Sequence, residues 1–188
     1  MNCLILEDQQ ILLDLLGAMV DCFSEIRTVF KAINIKHGKE IIIQHKIDIA
    51  ILDLYLPDGN GLDVAMELKS TNPNIKLVFL SGAAEEFICP KDLIELTYGI
   101  IDKADAFDSL RLCLYDIIEP IHDKLTNRQK EIYKLIGLGK TTKEIATVLG
   151  SSPSTIETHR KAISRNLRCS GSELISNAAL IQNIEKYK

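Results

Sequence analysis

A chain of 188 residues with 46% apolar side chains has room for one large or two small domains with real cores. No apolar stretch approaches a transmembrane span and no signal peptide opens the chain. This argues against a membrane protein and for the cytoplasm, where five scattered cysteines (Cys3, Cys22, Cys89, Cys113, Cys169) without C-x-x-C pairing read as reduced thiols. The net charge of −4 hides an asymmetry: residues 1–120 carry 20 acidic and 10 basic side chains, a charge of −10, whereas residues 121–188 carry 6 and 12, a charge of +6 that favours a polyanionic partner.

In chain order, Cys3-Leu4-Ile5-Leu6 is a first strand, ending at Glu7-Asp8. Ile11, Leu12, Leu15, Leu16, Met19 and Val20 mark the apolar face of a first helix. Thr28-Val29-Phe30 is a second strand and residues 38–45 a short helix. A third strand from Ile47 to Leu52 ends at Asp53, and the Pro57–Gly61 loop leads to a helix over 62–70, stopped near Asn72-Pro73. A fourth strand, Ile75 to Leu80, ends at Ser81. In the 84–98 segment Pro90 splits a helix or begins its main part. Gly99-Ile100-Ile101-Asp102 is a fifth strand ending at Lys103, and residues 105–118 form an amphipathic helix through Leu110, Leu112, Leu114, Ile117 and Ile118. Strands apolar on both faces belong to the centre of a parallel sheet, so the fold class is a doubly wound five-stranded parallel α/β domain over residues 1–120. Ligands of such sheets bind beyond the carboxyl ends of the strands. That edge would hold Glu7, Asp8 and Asp53 for a hard cation such as Mg²⁺, with Ser81 and Lys103 suited to a phosphoryl group.

These residues, and above all Asp53-Leu54-Tyr55-Leu56-Pro57-Asp58-Gly59-Asn60-Gly61-Leu62, resemble the receiver domain of two-component response regulators, over about residues 1–120. The resemblance implies that Asp53 accepts a phosphoryl group from a sensor histidine kinase or phosphotransfer protein. It also implies that Glu7, Asp8 and Asp53 hold Mg²⁺, that Ser81 bonds a phosphoryl oxygen, and that Lys103 pairs with the phosphate. Receivers of this class carry Tyr or Phe three residues before the lysine. Ile100 stands there instead, without a ring or polar tip, which implies weaker coupling between phosphate and output.

Pro120 ends the last helix of the first domain, and residues 121–124 read as a short linker. Residues 125–188 show no strand signal and four helix starts. Thr126-Asn127-Arg128-Gln129, Thr141-Thr142-Lys143-Glu144 and Ser170-Gly171-Ser172-Glu173 are capping boxes, and Ser152-Pro153 is an N-cap followed by proline at the first helical position. With Gly139 and Gly150 as helix stops, the helices fall at about 127–138, 142–149, 153–167 and 171–183. The second and third form a helix-turn-helix. Ile156, Ile163 and Leu167 give the third a buried face, opposite Ser154, Glu157, Thr158, Lys161 and Arg165, with Arg160 near the border.

Leu125-Thr126-Asn127-Arg128-Gln129-Lys130-Glu131-Ile132, Lys143-Glu144-Ile145-Ala146 and Thr155-Ile156-Glu157-Thr158-His159-Arg160 resemble LuxR-type DNA-binding domains, over about residues 124–182. Receiver and LuxR-type domain together resemble the NarL/FixJ class of response regulator. That implies a phosphorylation-switched transcription regulator binding double-stranded DNA as a homodimer through Lys143, Thr155, Glu157, Thr158, Arg160, Lys161 and Arg165. Glu157 departs from the lysine usual at its position. Two other readings stay open: a regulator with an atypical, phosphorylation-independent receiver, and a phosphohydrolase using Asp53 as nucleophile. The second lacks an acidic residue two positions later, where Tyr55 stands, so the expectation is a stoichiometric acceptor and not an enzyme.

Overall fold

The computed structural model describes residues 1–84 and 87–186. The chain divides into two compact units, at Cys113/Leu114.

The first unit is a five-stranded parallel sheet, β1 (Asn2–Leu6), β2 (Thr28–Ala32), β3 (Ile49–Asp53), β6 (Lys76–Ser81) and β7 (Thr97–Asp102), in the order β2-β1-β3-β6-β7. A two-residue ladder, β4 (Tyr55–Leu56) against β5 (Gly59–Asn60), folds the Pro57–Gly61 loop into a small antiparallel turn. The helices are α1 (Gln10–Val20), α2 (Ile35–Gln44), α3 (Gly61–Thr71), α4 (Lys91–Ile94) and the first part of α5 (Ala106–Ile118), whose residues from Leu114 on belong to the second unit. Alternation along the strands sends Leu4, Leu6, Ala50, Leu52, Leu77, Phe79 and Ile100 into one core with α2 and α3 residues such as Ile42, Val64 and Leu68. Cys3, Ile5, Ile49, Ile51 and Val78, all fully buried, alternate to the other face. This is the doubly wound α/β fold expected.

One expectation inside this unit needs correction. The apolar face of α1 is rotated: Leu13, Leu16, Gly17 and Val20 are buried, whereas Ile11 is 78% and Leu15 50% exposed. A run as rich in leucine as QILLDLLGAMV fits several helical phases, and the strands beneath select one. Of the two expectations for Pro90, the structure has it begin the helix of its segment, as N-cap, and that helix is four residues long. Leu96 already donates its amide to Leu93 O and lies against the core, so the chain turns straight into β7.

The second unit contains α6 (Ile121–Lys124), α7 (Asn127–Gly137), α8 (Thr142–Val148), α9 (Pro153–Asn166) and α10 (Gly171–Lys186). The segment expected as a linker is thus one helical turn, N-capped by Pro120. Thr126 and Gln129, and Thr141 and Glu144, make reciprocal capping boxes; Ser152 Oγ accepts from the Thr155 amide. Gly139 (φ +75°) and Gly150 (φ +59°) close α7 and α8 in the left-handed conformation that glycine adopts without a Cβ clash. The core is Ile132, Tyr133, Ile136, Ile145, Ile156, Ile163, Leu174 and Ala178, with Leu167 partly buried. Helices α7 and α10 pack backbone to backbone: a Cβ on Gly137 would lie 2.4 Å from Ala178 O.

Candidate anion site and nucleic-acid interface

The sheet order reverses its direction of winding between β1 and β3, and the predicted acidic residues gather there. Asp53 closes β3 and is 2% exposed; Glu7, directly after β1, is fully buried; Asp8 beside it is exposed. One carboxylate oxygen from each of the three lies within 4.8 Å of the others. Lys103, first residue of a short 3-10 turn after β7, reaches across the edge. Its Nζ donates to Asp53 Oδ2 at 2.7 Å and to Glu7 Oε1 at 3.1 Å, joining residues 50 and 96 positions apart. Asp102 Oδ1 holds the start of that turn by accepting from the Ala104 amide at 2.8 Å.

The electrostatics follow from burial beside like charge. Burial raises the Glu7 carboxyl above its ordinary value; the Lys103 ammonium opposes this and the neighbouring Asp53 charge adds to it. Burial pulls Lys103 down, but its hydrogen bonds to Asp53 and Glu7 outweigh that and hold the ammonium above its ordinary value. One lysine is a single positive charge against three carboxyl groups. Glu7 Oε2 is buried and accepts no hydrogen bond, although Nζ is 2.9 Å away. A buried oxygen without a donor, next to two more carboxylates, fits a hard divalent cation such as Mg²⁺.

The loop after β3 is held by two contacts that sequence reasoning missed. Gly61 donates to Leu54 O at 3.0 Å and passes so close to β3 that a Cβ there would lie 2.0 Å from Asp53 O. Asp58 Oδ1 and Oδ2 accept from the Ile35 and Lys36 amides at 3.0 and 3.1 Å, tying the loop to the start of α2. The available signals were the Pro-Asp-Gly-Asn-Gly spacing and Asn34, which caps α2 through the His37 amide. Asp53 Oδ1 itself accepts from the Tyr55 amide at 3.2 Å.

Ser81 ends β6, the strand beside β3, and is fully buried; its Oγ accepts from the Ala83 amide at 3.1 Å. Ile100 is 1% exposed, in the α2–α3 core and in register with Phe79. Tyr98, two residues earlier, lies under the Lys76 ammonium at 5.9 Å from the ring centroid.

In the second unit, Lys143, Thr155, Glu157, Thr158, Lys161 and Arg165 are exposed and Arg160 is half-buried. The Thr155 and Thr158 hydroxyls are committed locally, to Ser152 Oγ at 2.8 Å and Ser154 O at 3.0 Å. Arg128, which the sequence suggested only as part of a helix start, clamps the turn before α9. Its Nη2 donates to Leu149 O at 2.7 Å and Ser151 Oγ at 2.8 Å, while Nη1 pairs with Glu131 at 2.9 Å. In α10, Leu174 and Ala178 are spent in the core, which leaves Ile175, 47% exposed, as its open apolar side chain among the described residues.

Residues 3–114 match the response regulator receiver domain, and residues 123–176 match the luxR family of bacterial regulatory proteins. Among curated proteins, the chain is 29% identical over 177 residues to the uncharacterized transcriptional regulatory protein YvfU of Bacillus subtilis. It is 28% identical over 177 residues to the transcriptional regulatory protein DesR of the same organism. Each alignment covers 87% of this chain and 88% of the relative. Among solved structures, a complex of the two-component response regulator RcsB with DNA aligns over 95% of this chain and 97% of that one, with a TM-score of 0.52 at 20% identity, a likeness of fold.

Proposed function

The chain belongs to the response regulators, as a receiver domain followed by a LuxR-family DNA-binding domain, and we propose that a phosphoryl group on Asp53 controls its binding to DNA. The observation that carries this reading is the half-buried Lys103 ammonium shared between the buried carboxylates of Asp53 and Glu7. A carboxylate oxygen of Asp53 attacks the phosphorus of a phosphohistidine on a sensor kinase or phosphotransfer protein. The P–N bond breaks and the imidazole leaves with its electron pair. Mg²⁺, held by Glu7, Asp8 and Asp53, would supply charge neutralisation for the transferring group. Lys103 then pairs with a phosphoryl oxygen, and Ser81 turns its hydroxyl from the Ala83 amide to donate to another.

Glu7, Asp8, Asp53 and Lys103 stand together, so nothing in the site favours control without phosphorylation. Ile100, buried and aliphatic, offers no polar tip to follow Ser81, which supports a weaker coupling than an aromatic would give. The acceptor is used stoichiometrically, without turnover of an external substrate. Among the described residues no helix is long and apolar enough to cross a membrane, and we assign the protein to the cytoplasm from its class. On DNA, two copies occupy paired half-sites, with Ile175 available between them. Output runs through α9: Lys161 toward base edges, and Arg160 and Arg165 toward phosphates, with Thr155, Thr158 and, from α8, Lys143 beside them.

Incubation with a small phosphodonor and Mg²⁺, read by intact mass, tests the acceptor. Wild type gains one phosphoryl group and Asp53→Asn gains none; full labelling of Asp53→Asn would sink the assignment.

A further inference from the structure

Over residues 125–173 of the DNA-binding unit the side-chain carboxylates are spent locally, with one exception. Between residues 125 and 173 there are four: Glu131, Glu144, Glu157 and Glu173. Glu131 pairs with Arg128 at 2.9 Å. Glu144 Oε2 accepts from the Thr141 amide at 2.8 Å and its hydroxyl at 2.7 Å. Glu173 Oε2 accepts from the Ser170 amide at 2.7 Å. Glu157 is exposed and enters no hydrogen bond or ion pair among the described residues. Lys161 lies one turn further on, in the order and spacing at which a Glu–Lys pair readily forms on a helix, yet the two stand apart. Helix α9 buries Ile156 and Ile163 and presents Glu157 with Lys161 and Arg165 on its exposed side.

A carboxylate on a face that meets DNA is repelled by every phosphate it approaches. Its favourable partners are the amino donors of base edges in the major groove, cytosine N4 and adenine N6. Adenine sets the acceptor N7 beside its amino group, which repels the second carboxylate oxygen; cytosine sets no acceptor beside N4 on its own major-groove edge. Lys161, on the same face, matches the guanine O6 and N7 that accompany or adjoin such a cytosine.

We propose that Glu157 is a specificity-determining residue that accepts a hydrogen bond from cytosine N4 in each half-site. This rests on α9 being the helix that reads DNA. Removing the negative charge therefore trades sequence preference for general affinity.

The full chain, with phosphodonor and Mg²⁺, is used to select duplexes from a random library, in parallel with Glu157→Gln and Glu157→Lys. Wild type should enrich cytosine at one position of the half-site. Glu157→Gln should move that position toward adenine, because an amide matches N6 and N7 together, an exchange a merely structural glutamate would not produce. Glu157→Lys should lose the cytosine and bind random DNA several-fold tighter. On the selected duplex, replacing that C·G pair by A·T should weaken wild type about tenfold and leave Glu157→Lys unchanged. A wild-type motif retained unaltered by both variants overturns the proposal alone. Failure of wild type to enrich any motif, with Lys161→Ala binding as wild type does, overturns the reading of α9 and the proposal with it.

Discussion

The two units hold their candidate functional residues by opposite means. In the receiver, the site joins Glu7, Asp53 and Lys103 from three strand ends, with the lysine 96 positions from one partner and 50 from the other. In the DNA-binding unit most side-chain ties span five residues or fewer: Thr126 with Gln129, Thr141 with Glu144, Ser152 with Thr155, Ser170 with Glu173. Two ties that reach further, Arg128 to the turn before α9 and Asn166 Nδ2 to Lys124 O, fix where α9 sits. A phosphoryl site needs several charges converging in a dry place, which only non-adjacent elements supply. A helix that reads a groove needs a rigid start, an exposed face and a fixed tilt, and local caps supply the first.

The largest expected effect tests the convergent side. Asp53→Asn should abolish phosphoryl uptake while leaving basal DNA binding measurable by the same chain. Uptake surviving at another carboxylate would show that convergence at β3 is dispensable.

Backbone contact should be the next most costly thing to disturb, in both units. Gly61→Ala forces a methyl to within 2.0 Å of Asp53 O, and Gly137→Ala to within 2.4 Å of Ala178 O. Each should destabilise its own unit by about 3 kcal/mol, seen as a loss in the midpoint of urea unfolding. Gly61→Ala should also slow phosphoryl uptake, since the Asp53 peptide must shift. Two wild-type-like melts would remove the argument that these helices need glycine.

On the reading face, Lys161→Ala should cost roughly 1–3 kcal/mol on the best duplex and little on random DNA. Arg165→Ala should weaken all sequences alike and lower the salt slope by about one unit. Titrations at several salt concentrations separate the two, and identical salt slopes for wild type and Arg165→Ala would count against a phosphate contact. Arg128→Ala touches no DNA in this reading. It should cost about 1 kcal/mol of folding stability, discounted because the side chain is 37% exposed. It should weaken specific binding by loosening the turn before α9; unchanged affinity would make the clamp irrelevant to output.

Smallest is the response to acid, which should be alike in the two units. The Ile35 and then the Lys36 amide hold the Asp58 carboxyl below the usual carboxylate range, and the Thr141 amide and hydroxyl do the same for Glu144. A depressed folded pKa stabilises fully above the unfolded value, near pH 4, and the contribution fades as pH falls through the folded value. Asp58→Asn and Glu144→Gln should therefore lower stability at neutral pH and lose less of it on going to about pH 3. Equal acid losses with and without each carboxylate would place the titration elsewhere.

What the sequence by itself determined is what short-range chemistry encodes. Continuous apolar runs ending in Asp53, Ser81 and Lys103 marked buried parallel strands and the sheet edge where their ends meet. Ser/Thr-x-x-Glu/Gln spacing marked helix starts, because the donor and acceptor lie three residues apart and need no partner from elsewhere. Tertiary structure alone decided the rest. It chose Leu13 over Ile11 and Leu15 as the buried face of α1, since a leucine-rich helix has no unique phase until strands press on it. It cut the helix after Pro90 to four residues. It recruited Asp58 to α2, Gly61 to the back of Asp53, and Arg128 to a turn 21 residues away. Each of these depends on a distance between segments remote in sequence, and such distances are set by the packing of whole elements.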